Sequence, residues 1–270
     1  MKVSGIITLT TDFGLDDPYV GMMKGVILSI NNKARFVDIS HGIGAGGVLQ
    51  ASALLNEAYP FFPQGTVHVA VVDPGVGTER RLMILVTQNH MFVGPDNGIF
   101  WPVIKDHPRA TLIEITQTRY YLPDVSHTFH GRDIFAPVAA HLSRGVAAHN
   151  MGEPLADPVK LPTLSPRQKD DVLGGQVIRV DHFGNLITNI HRRDLERFLR
   201  SRRPVINMGD LVIEGLCTTY AEAGSGEVLA MIGSSGFLEI AVNLGRASER
   251  VGKDPGETLG LVVQVKRAVG

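Results

Sequence analysis

Apolar and polar residues recur with two different periods along the first half of the chain, and this predicts strands and helices in turn. Short β-branched runs are typical of buried strands, whereas apolar residues three or four apart predict helices. The predicted strands are Gly5–Thr11, Arg35–Ile39, Thr66–Asp73, Leu82–Thr87, His90–Val93 and Thr111–Ile115. The predicted helices are Asp17–Ile30, Val48–Phe62, Ile99–Lys105 and Arg132–Ser143. Residues 1–152 therefore form a predicted α/β domain whose mostly parallel sheet carries helices on both faces.

The pattern changes after this domain. Prolines at near-regular spacing among polar residues predict a linker over residues 153–171. Residues 172–270 then read mainly as short strands with Gly-rich turns, which predicts a smaller C-terminal β-barrel domain. Its predicted strands are Gln176–Asp181, Leu186–Ile190, Gly209–Glu214, Val228–Ile232, Phe237–Val242 and Thr258–Lys266, and its one predicted helix is Arg192–Arg200.

Composition narrows the class of protein. The 270 residues carry a net charge of −1, so no basic field indicates nucleic acid or an anionic membrane as a partner. The single cysteine, Cys217, excludes an internal disulfide and a zinc site built from several thiolates. No apolar run approaches the ~20 residues of a membrane span, and no signal peptide is evident. We expect a soluble, cytoplasmic protein.

Polar residues with catalytic chemistry follow the predicted strands, where open α/β sheets bind their ligands. Asp12 follows the first strand, in TTDFG, where a carboxylate can accept both hydroxyls of a ribose; it can equally be a turn former or helix cap. Asp73 ends a buried strand in VVDPGVGTERR, a Gly-rich loop without P-loop or dinucleotide spacing. His130, in TFHGRD, precedes a helix whose dipole favours the neutral imidazole. It lies three residues after His127, a spacing that can indicate a metal site, but the pair lies outside a regular helix and no set of carboxylates or thiols completes the site, so we expect no metal.

Two turns in the second half carry weaker signals. Asp181 and Asn185 flank the turn in DHFGN, where the acid can pair with an ammonium group and the amide can read a base edge, or both can simply form the turn. The GSSG turn at residues 233–236 offers backbone N–H groups and hydroxyls suited to a carboxylate, and is equally explained as a hairpin.

Together these segments resemble the S-adenosyl-L-methionine hydroxide adenosyltransferase family, relatives of the fluorinase and chlorinase enzymes. The matching stretches are TTDFG, TVHVAVVDPGVGTERR, GPDNG, TFHGRDIFAPVAAHL, DHFGNLITNI and GSSGFLEIAVN, in order from Thr10 to Asn243. The resemblance implies an N-terminal α/β domain, a C-terminal β-barrel and a homotrimer with sites at subunit interfaces. It also implies hydrolysis of S-adenosyl-L-methionine (SAM) to adenosine and L-methionine, with SAM as substrate and no cofactor or metal.

The resemblance assigns residues to roles. The catalytic set falls on Asp73, Arg80 and His130, and the ribose-binding carboxylate on Asp12. Further substrate contacts correspond to Asp17, Thr128, Phe129, Asp181, Asn185, Tyr220 and Ser234. Two departures stand out: a Gly-rich run, Gly42–Gly47, replaces a loop that usually carries an aromatic residue, and Ser235 replaces an arginine of the halogenases.

The residue chemistry leaves alternatives open. A sulfonium is already a good leaving group, so attack at the ribose C5′ needs orientation and a nucleophile. Arg80 and His130 can stabilise the oxygen's developing charge while Asp73 orients them or accepts a proton. A halogenase of the same superfamily is one alternative, although His130 and Gly131 stand where the fluorinase pattern has tyrosine and serine. A non-catalytic adenosine- or SAM-binding protein is another.

Overall fold

The computed structural model describes residues 1–162, 165–251 and 258–268. The chain forms two compact units, Met1–Leu161 and Pro162–Gly270. The division falls inside the segment predicted as a linker, of which Thr163 and Leu164 lie outside the described residues. Residues 252–257 and 269–270 of the predicted C-terminal domain also lie outside them. The two ends of the linker segment form short strands, one in each unit.

The first unit contains a seven-stranded sheet in the order β2-β1-β3-β5-β4-β6-β7. Its strands are β1 (Ile6–Thr11), β2 (Arg35–Ser40), β3 (Thr66–Val71), β4 (Leu82–Val86), β5 (His90–Pro95), β6 (Thr111–Ile115) and β7 (Gly152–Pro154). The pairings from β2 to β5 are parallel, and those from β5 to β7 are antiparallel. The predicted α/β class is confirmed. The sheet itself is mixed rather than mostly parallel, because the β4–β5 hairpin reverses the chain direction.

Helices cover both faces of this sheet. They are α1 (Tyr19–Ile30), α2 (Val48–Ala58), α3 (Trp101–Asp106) and α4 (Ala136–Ser143). Successive residues of β3 point to opposite faces: Val69 and Val71 pack in the core that α1 and α4 cover, and Ala70 packs in the core that α2 and α3 cover. All six residues of β3 are buried, including Thr66 and His68, because helices cover both faces of the sheet.

Two predicted helices differ in their ends. The helix predicted over Val48–Phe62 ends at Ala58 and continues as a 3₁₀ turn, Tyr59–Phe61, which contains Pro60. The helix predicted over Arg132–Ser143 begins with a π-helical turn, Gly131–Phe135. Pro137 has no N–H to donate to the carbonyl of Asp133, and that carbonyl accepts from the Leu122 N–H instead. The turn therefore widens directly after His130.

The second unit is built on an antiparallel, barrel-like sheet in the order β12-β11-β15-β9-β10-β14-β13, with β8 paired to β9. Its strands are β8 (Arg167–Lys169), β9 (Val172–Val180), β10 (Leu186–His191), β11 (Pro204–Met208), β12 (Leu211–Glu214), β13 (Val228–Ile232), β14 (Phe237–Val242) and β15 (Val262–Arg267). Helices α5 (Arg192–Leu199) and α6 (Ala247–Arg250) also belong to this unit. The sequence pattern missed β11, a short run that opens on a proline, but its alternate residues face the core.

Candidate active site

Four segments of the first unit surround a cavity of about 520 Å³. They are the loop after β1, the loop after β3, the loop after β2 and the residues that precede the π-helical turn. The lining residues are Asp12, Phe13, Tyr19, Ala45, Gly46, Val71, Asp73, Pro74, Val76, Thr128, Phe129, His130 and Gly131. Five residues assigned to the site from sequence are among them. The carboxyl ends of the parallel strands β1 and β3 bring the first two loops to one edge of the sheet.

Asp73 and Arg80 form a buried ion pair at the edge of this cavity. Arg80 Nε lies 2.7 Å from each carboxylate oxygen of Asp73, and Arg80 Nη2 also donates to Asp73 Oδ2. The side chains are only 4% and 10% exposed, respectively, so solvent screens this pair weakly. The carboxylate is oriented by its guanidinium, and both of its oxygens already accept hydrogen bonds.

His130 extends the pair to a third residue. Arg80 Nη2 lies 2.9 Å from His130 Nδ1. A guanidinium nitrogen can only donate, so Nδ1 accepts and the ring proton resides on Nε2. Burial, and next the charge of Arg80, hold the pKa of His130 below its ordinary value, against the opposing charges of Asp73 and Asp133. His130 is therefore neutral near pH 7, with Nε2–H as its remaining donor.

The loop between Asp73 and Arg80 is held closely against the segment that carries His130. Gly77 adopts a positive φ of 78°, and a Cβ there would lie 2.3 Å from the carbonyl oxygen of His127. Only glycine fits this approach. The Gly-rich character of VVDPGVG thus serves close packing of two loops, which brings Arg80 to His130.

Asp12 lies at another wall of the cavity, where its Oδ2 accepts a hydrogen bond from the Gly46 N–H at 2.8 Å. Gly46 belongs to the Gly-rich run that replaces the usual aromatic loop, and its φ is positive, at 70°. This run contributes backbone to the cavity and fixes one carboxylate oxygen of Asp12. Phe13 and Tyr19 supply aromatic surface instead and pack edge-on against Phe129, with ring centroids 5.7 and 5.3 Å from its centroid.

Sequence reasoning missed Phe13 and Tyr19 as lining residues. Phe13 directly follows Asp12 in TTDFG, which was the available signal, and Tyr19 is the first residue of α1. Asp17, assigned as a substrate contact, is exposed and is not among the residues that line the cavity. Arg81 has a structural partner: it donates to Asp96, whose side chain is 1% exposed, at 2.5 Å, and to the carbonyl oxygens of Ala156 and Asp157.

The assigned residues of the second unit lie in its turns. Asn185 donates from its backbone N–H and its amide to the two carboxylate oxygens of Asp181, at 2.8 and 3.0 Å, and so closes the turn before β10. Tyr220 is partly exposed, and its hydroxyl donates to Glu239 at 2.7 Å. That hydrogen bond, with burial and the nearby acids, raises the pKa of Tyr220 to about 12. Ser234 is exposed in the turn before β14.

None of the helices described within residues 1–162, 165–251 and 258–268 is long and apolar enough to cross a membrane. Over the same ranges, no group of three or more His, Cys, Asp or Glu residues is arranged to hold a metal ion.

Comparison with known proteins identifies similar chains over both units. Residues 7–152 match the SAM hydroxide adenosyltransferase N-terminal domain, and residues 175–260 match the corresponding C-terminal domain. The chain is 38% identical over 262 residues to the (R)-S-adenosyl-L-methionine hydrolase of Salinispora tropica, covering 94% of this chain and 96% of that one. It is 28% identical to the fluorinase of an Actinoplanes species, covering 88% and 91%. A crystal structure of an uncharacterized conserved protein from Thermotoga maritima matches with a TM-score of 0.88 at 36% identity, over 97% of this chain and all of that one.

Proposed function

The chain belongs to the SAM hydroxide adenosyltransferase family, and from this premise we propose that it hydrolyses S-adenosyl-L-methionine to adenosine and L-methionine. The observation that carries the proposal is the contact of Asp73, Arg80 and His130 beside a cavity that also contains Asp12. The curated hydrolases support it further, because they are 36–38% identical to this chain while the fluorinases are 26–29% identical.

The nucleophile is an oxygen that attacks the ribose C5′ in line with the departing sulfur. Bulk water has a pKa of about 15.7, so hydroxide is scarce at neutral pH and has to be stabilised at the site. Asp73 accepts from Arg80 with both oxygens, which makes it the residue that orients the guanidinium. Arg80 N–H groups and His130 Nε2–H then act as donors to the oxygen as negative charge develops on it. In this role the three residues bind a hydroxide ion whose proton has been released to solvent, and they do not supply a strong base. The hydroxide oxygen bonds to C5′ as the C5′–S bond breaks, and the electron pair of that bond leaves with the sulfur of methionine.

The other residues that line the cavity position the substrate. We place the ribose hydroxyls on Asp12, whose carboxylate is oriented by the Gly46 N–H, and the nucleoside beside Phe13, Tyr19 and Phe129. The resemblance adds Asp17, Thr128, Asp181, Asn185, Tyr220 and Ser234 as substrate contacts. Holding C5′ and the oxygen in line can supply several kcal/mol of the barrier reduction. Because the sulfonium leaves without protonation, the reaction needs no cofactor.

The finer details follow the family. We propose a cytoplasmic homotrimer with its sites at subunit interfaces, without nucleic acid or membrane as partner. The names of the curated relatives specify the R epimer, and we propose the same preference at the sulfonium centre here. Sedimentation equilibrium tests the trimer, and a monomer at micromolar concentration would contradict it.

The decisive experiment separates hydrolysis from halogenation and from simple binding. The protein is incubated with each SAM epimer in water enriched in a heavy oxygen isotope, with fluoride or chloride present. The products are separated by chromatography, and their masses are measured by mass spectrometry. We expect L-methionine and adenosine with the label in its 5′ hydroxyl, faster from the R epimer. A 5′-halo-adenosine would indicate a halogenase, and bound ligand without product would indicate a binding protein.

A further inference from the structure

Asp133 lies three residues after His130, inside the π-helical turn, and is fully buried. Its Oδ2 accepts from the backbone N–H and the hydroxyl of Ser126, at 2.9 and 2.8 Å. Its Oδ1 accepts from Arg132 Nε at 2.6 Å. A buried carboxylate is tolerated only with such donors, so this residue commits both of its oxygens to the chain around it.

From this arrangement we propose that Asp133 is a positioning residue for the reaction, setting the place of His130 through Ser126 and the place of Phe129 through Arg132. The inference rests on the proposed hydrolase function. It concerns how the cavity is held, and Asp133 itself is not among the residues that line the cavity.

The first arm runs from Oδ2 through Ser126 to the backbone of Phe129, one residue before His130. Ser126 Oγ, held by Asp133, accepts a hydrogen bond from the Phe129 N–H at 3.0 Å. Residues 126–133 are thereby closed into a loop whose last residue before the π-helical turn is His130. The hydrogen bond from Arg80 to His130 Nδ1 depends on this placement, and a displacement of about 1 Å in such a site costs roughly 100-fold in rate.

The second arm runs from Oδ1 through Arg132 to Phe129, which lines the cavity. The Arg132 guanidinium that Asp133 binds lies over the ring of Phe129, 5.1 Å from its centroid. Phe129 in turn contacts Phe13 and Tyr19. Arg132 is about one-third exposed, so this arm is the weaker of the two, and we expect it to influence substrate affinity rather than the chemical step.

Charge supports the geometry. Burial alone would raise the pKa of Asp133, but hydrogen bonds from Arg132 and Ser126 outweigh it and hold the pKa below the ordinary value. The residue is therefore an anion, and its charge raises the pKa of His130. The other charged or titratable groups that act on His130 are Arg80, Asp73 and His127.

The test compares Asp133→Asn with Asp124→Asn, an exposed aspartate of the same segment that takes no part in the site. For Asp133→Asn we expect kcat to fall by up to about 100-fold, and the acid limb of the kcat profile to move to lower pH because an anion near His130 is gone. Asp124→Asn should retain the wild-type values. Wild-type kcat with an unmoved acid limb in folded Asp133→Asn would overturn the proposal.

A second pair of variants keeps the test decisive if Asp133→Asn does not fold. Ser126→Ala removes the hydroxyl link, while Ser126→Thr keeps it. We expect a reduced kcat in Ser126→Ala and recovery of kcat in Ser126→Thr. A wild-type kcat in both variants would overturn the proposal.

The imidazole of His130 is also titrated by NMR in each variant, a measurement that does not depend on activity. An inactive wild-type protein would refute the hydrolase function, whereas an unmoved His130 titration in Asp133→Asn would refute this inference alone.

Discussion

Arg80 donates a hydrogen bond from Nη2 to Nδ1 of His130 across 2.9 Å, so the arginine dictates which imidazole nitrogen carries the proton. The contact joins residues fifty positions apart in the sequence. It also requires a neutral imidazole, because a protonated Nδ1 has no lone pair to accept with.

Activity should therefore decline in acid. Burial and the charge of Arg80 place the pKa of His130 below its ordinary 6.5, so kcat should stay level near neutrality and fall tenfold per pH unit once pH drops below that pKa. A kcat profile measured at saturating SAM checks this, with circular dichroism at each pH as the control for folding. A profile that rises towards acid would contradict the neutral imidazole.

Asp73, Arg80 and His130 should act as one unit. Loss of one member should cost nearly as much rate as loss of all three, because the remaining two no longer hold the oxygen. Arg80→Ala should be slower than His130→Ala, since it leaves the buried Asp73 charge unpaired and facing the nucleophile. Single-turnover hydrolysis by Asp73→Ala, Arg80→Ala, His130→Ala and the triple variant measures this. If the rate losses of the single variants multiply to give that of the triple variant, the three residues do not act as one unit. Unchanged affinity for adenosine would show that they serve the chemical step and not nucleoside binding.

Asp12→Asn should weaken adenosine binding about tenfold, because two hydroxyl donors lose a charged acceptor. The amide oxygen can still accept from Gly46, so the loop should keep its position. Calorimetric titration with adenosine gives the dissociation constant. Asp16→Asn, an exposed neighbour, is the matched control. Equal affinity in both variants would remove Asp12 from the nucleoside site.

Gly77→Ala should impair both stability and catalysis. Its positive φ costs about 1–2 kcal/mol with a side chain, and the new Cβ would press on the His127 carbonyl and push the segment bearing His130 away from Arg80. Gly145→Ala is the control, since its φ is also positive, at 92°, with open space around the Cβ. We expect both variants to melt at lower temperature and only Gly77→Ala to lose kcat. Equal kcat would show that the close loop packing is not needed.

His68 should make the fold sensitive to acid. It is buried against Thr8 and His90, and burial lowers its pKa to about 3. In the unfolded chain the His68 imidazole binds a proton near pH 6.5, whereas in the folded chain it stays neutral down to about pH 3. The free energy of unfolding therefore decreases as pH falls from 6.5 towards 3, by up to about 1.4 kcal/mol per pH unit. Urea unfolding at several pH values measures the slope. His68→Asn should flatten it, and the exposed His149→Asn should leave it unchanged.

The order of elements followed from local pattern. The strands β1 and β3 are rich in β-branched residues, and α1 repeats its apolar residues at helical spacing, so all three elements are predicted within two residues of their bounds. The short β11 and the π-helical turn are not, because one is too brief for a period and the other depends on Pro137 and on Leu122 from another segment. The pattern of apolar and polar residues also does not specify whether the strands beyond β5 pair in parallel or antiparallel.

For the site, sequence alone determined that acids and a histidine follow the ends of particular strands, which marks Asp12, Asp73 and His130 as candidates. Only the tertiary structure decided how they meet. Arg80, which the resemblance assigns to the catalytic set, contacts Asp73, whereas the neighbouring Arg81 donates to the buried Asp96. Tertiary contacts likewise determine the tautomer of His130, the packing of Phe13 against Tyr19 and the hydrogen bond between Ser126 and Asp133. The periodicity of apolar residues indicates which residues are buried. The residues that each side chain contacts depend on packing between segments that are distant along the chain.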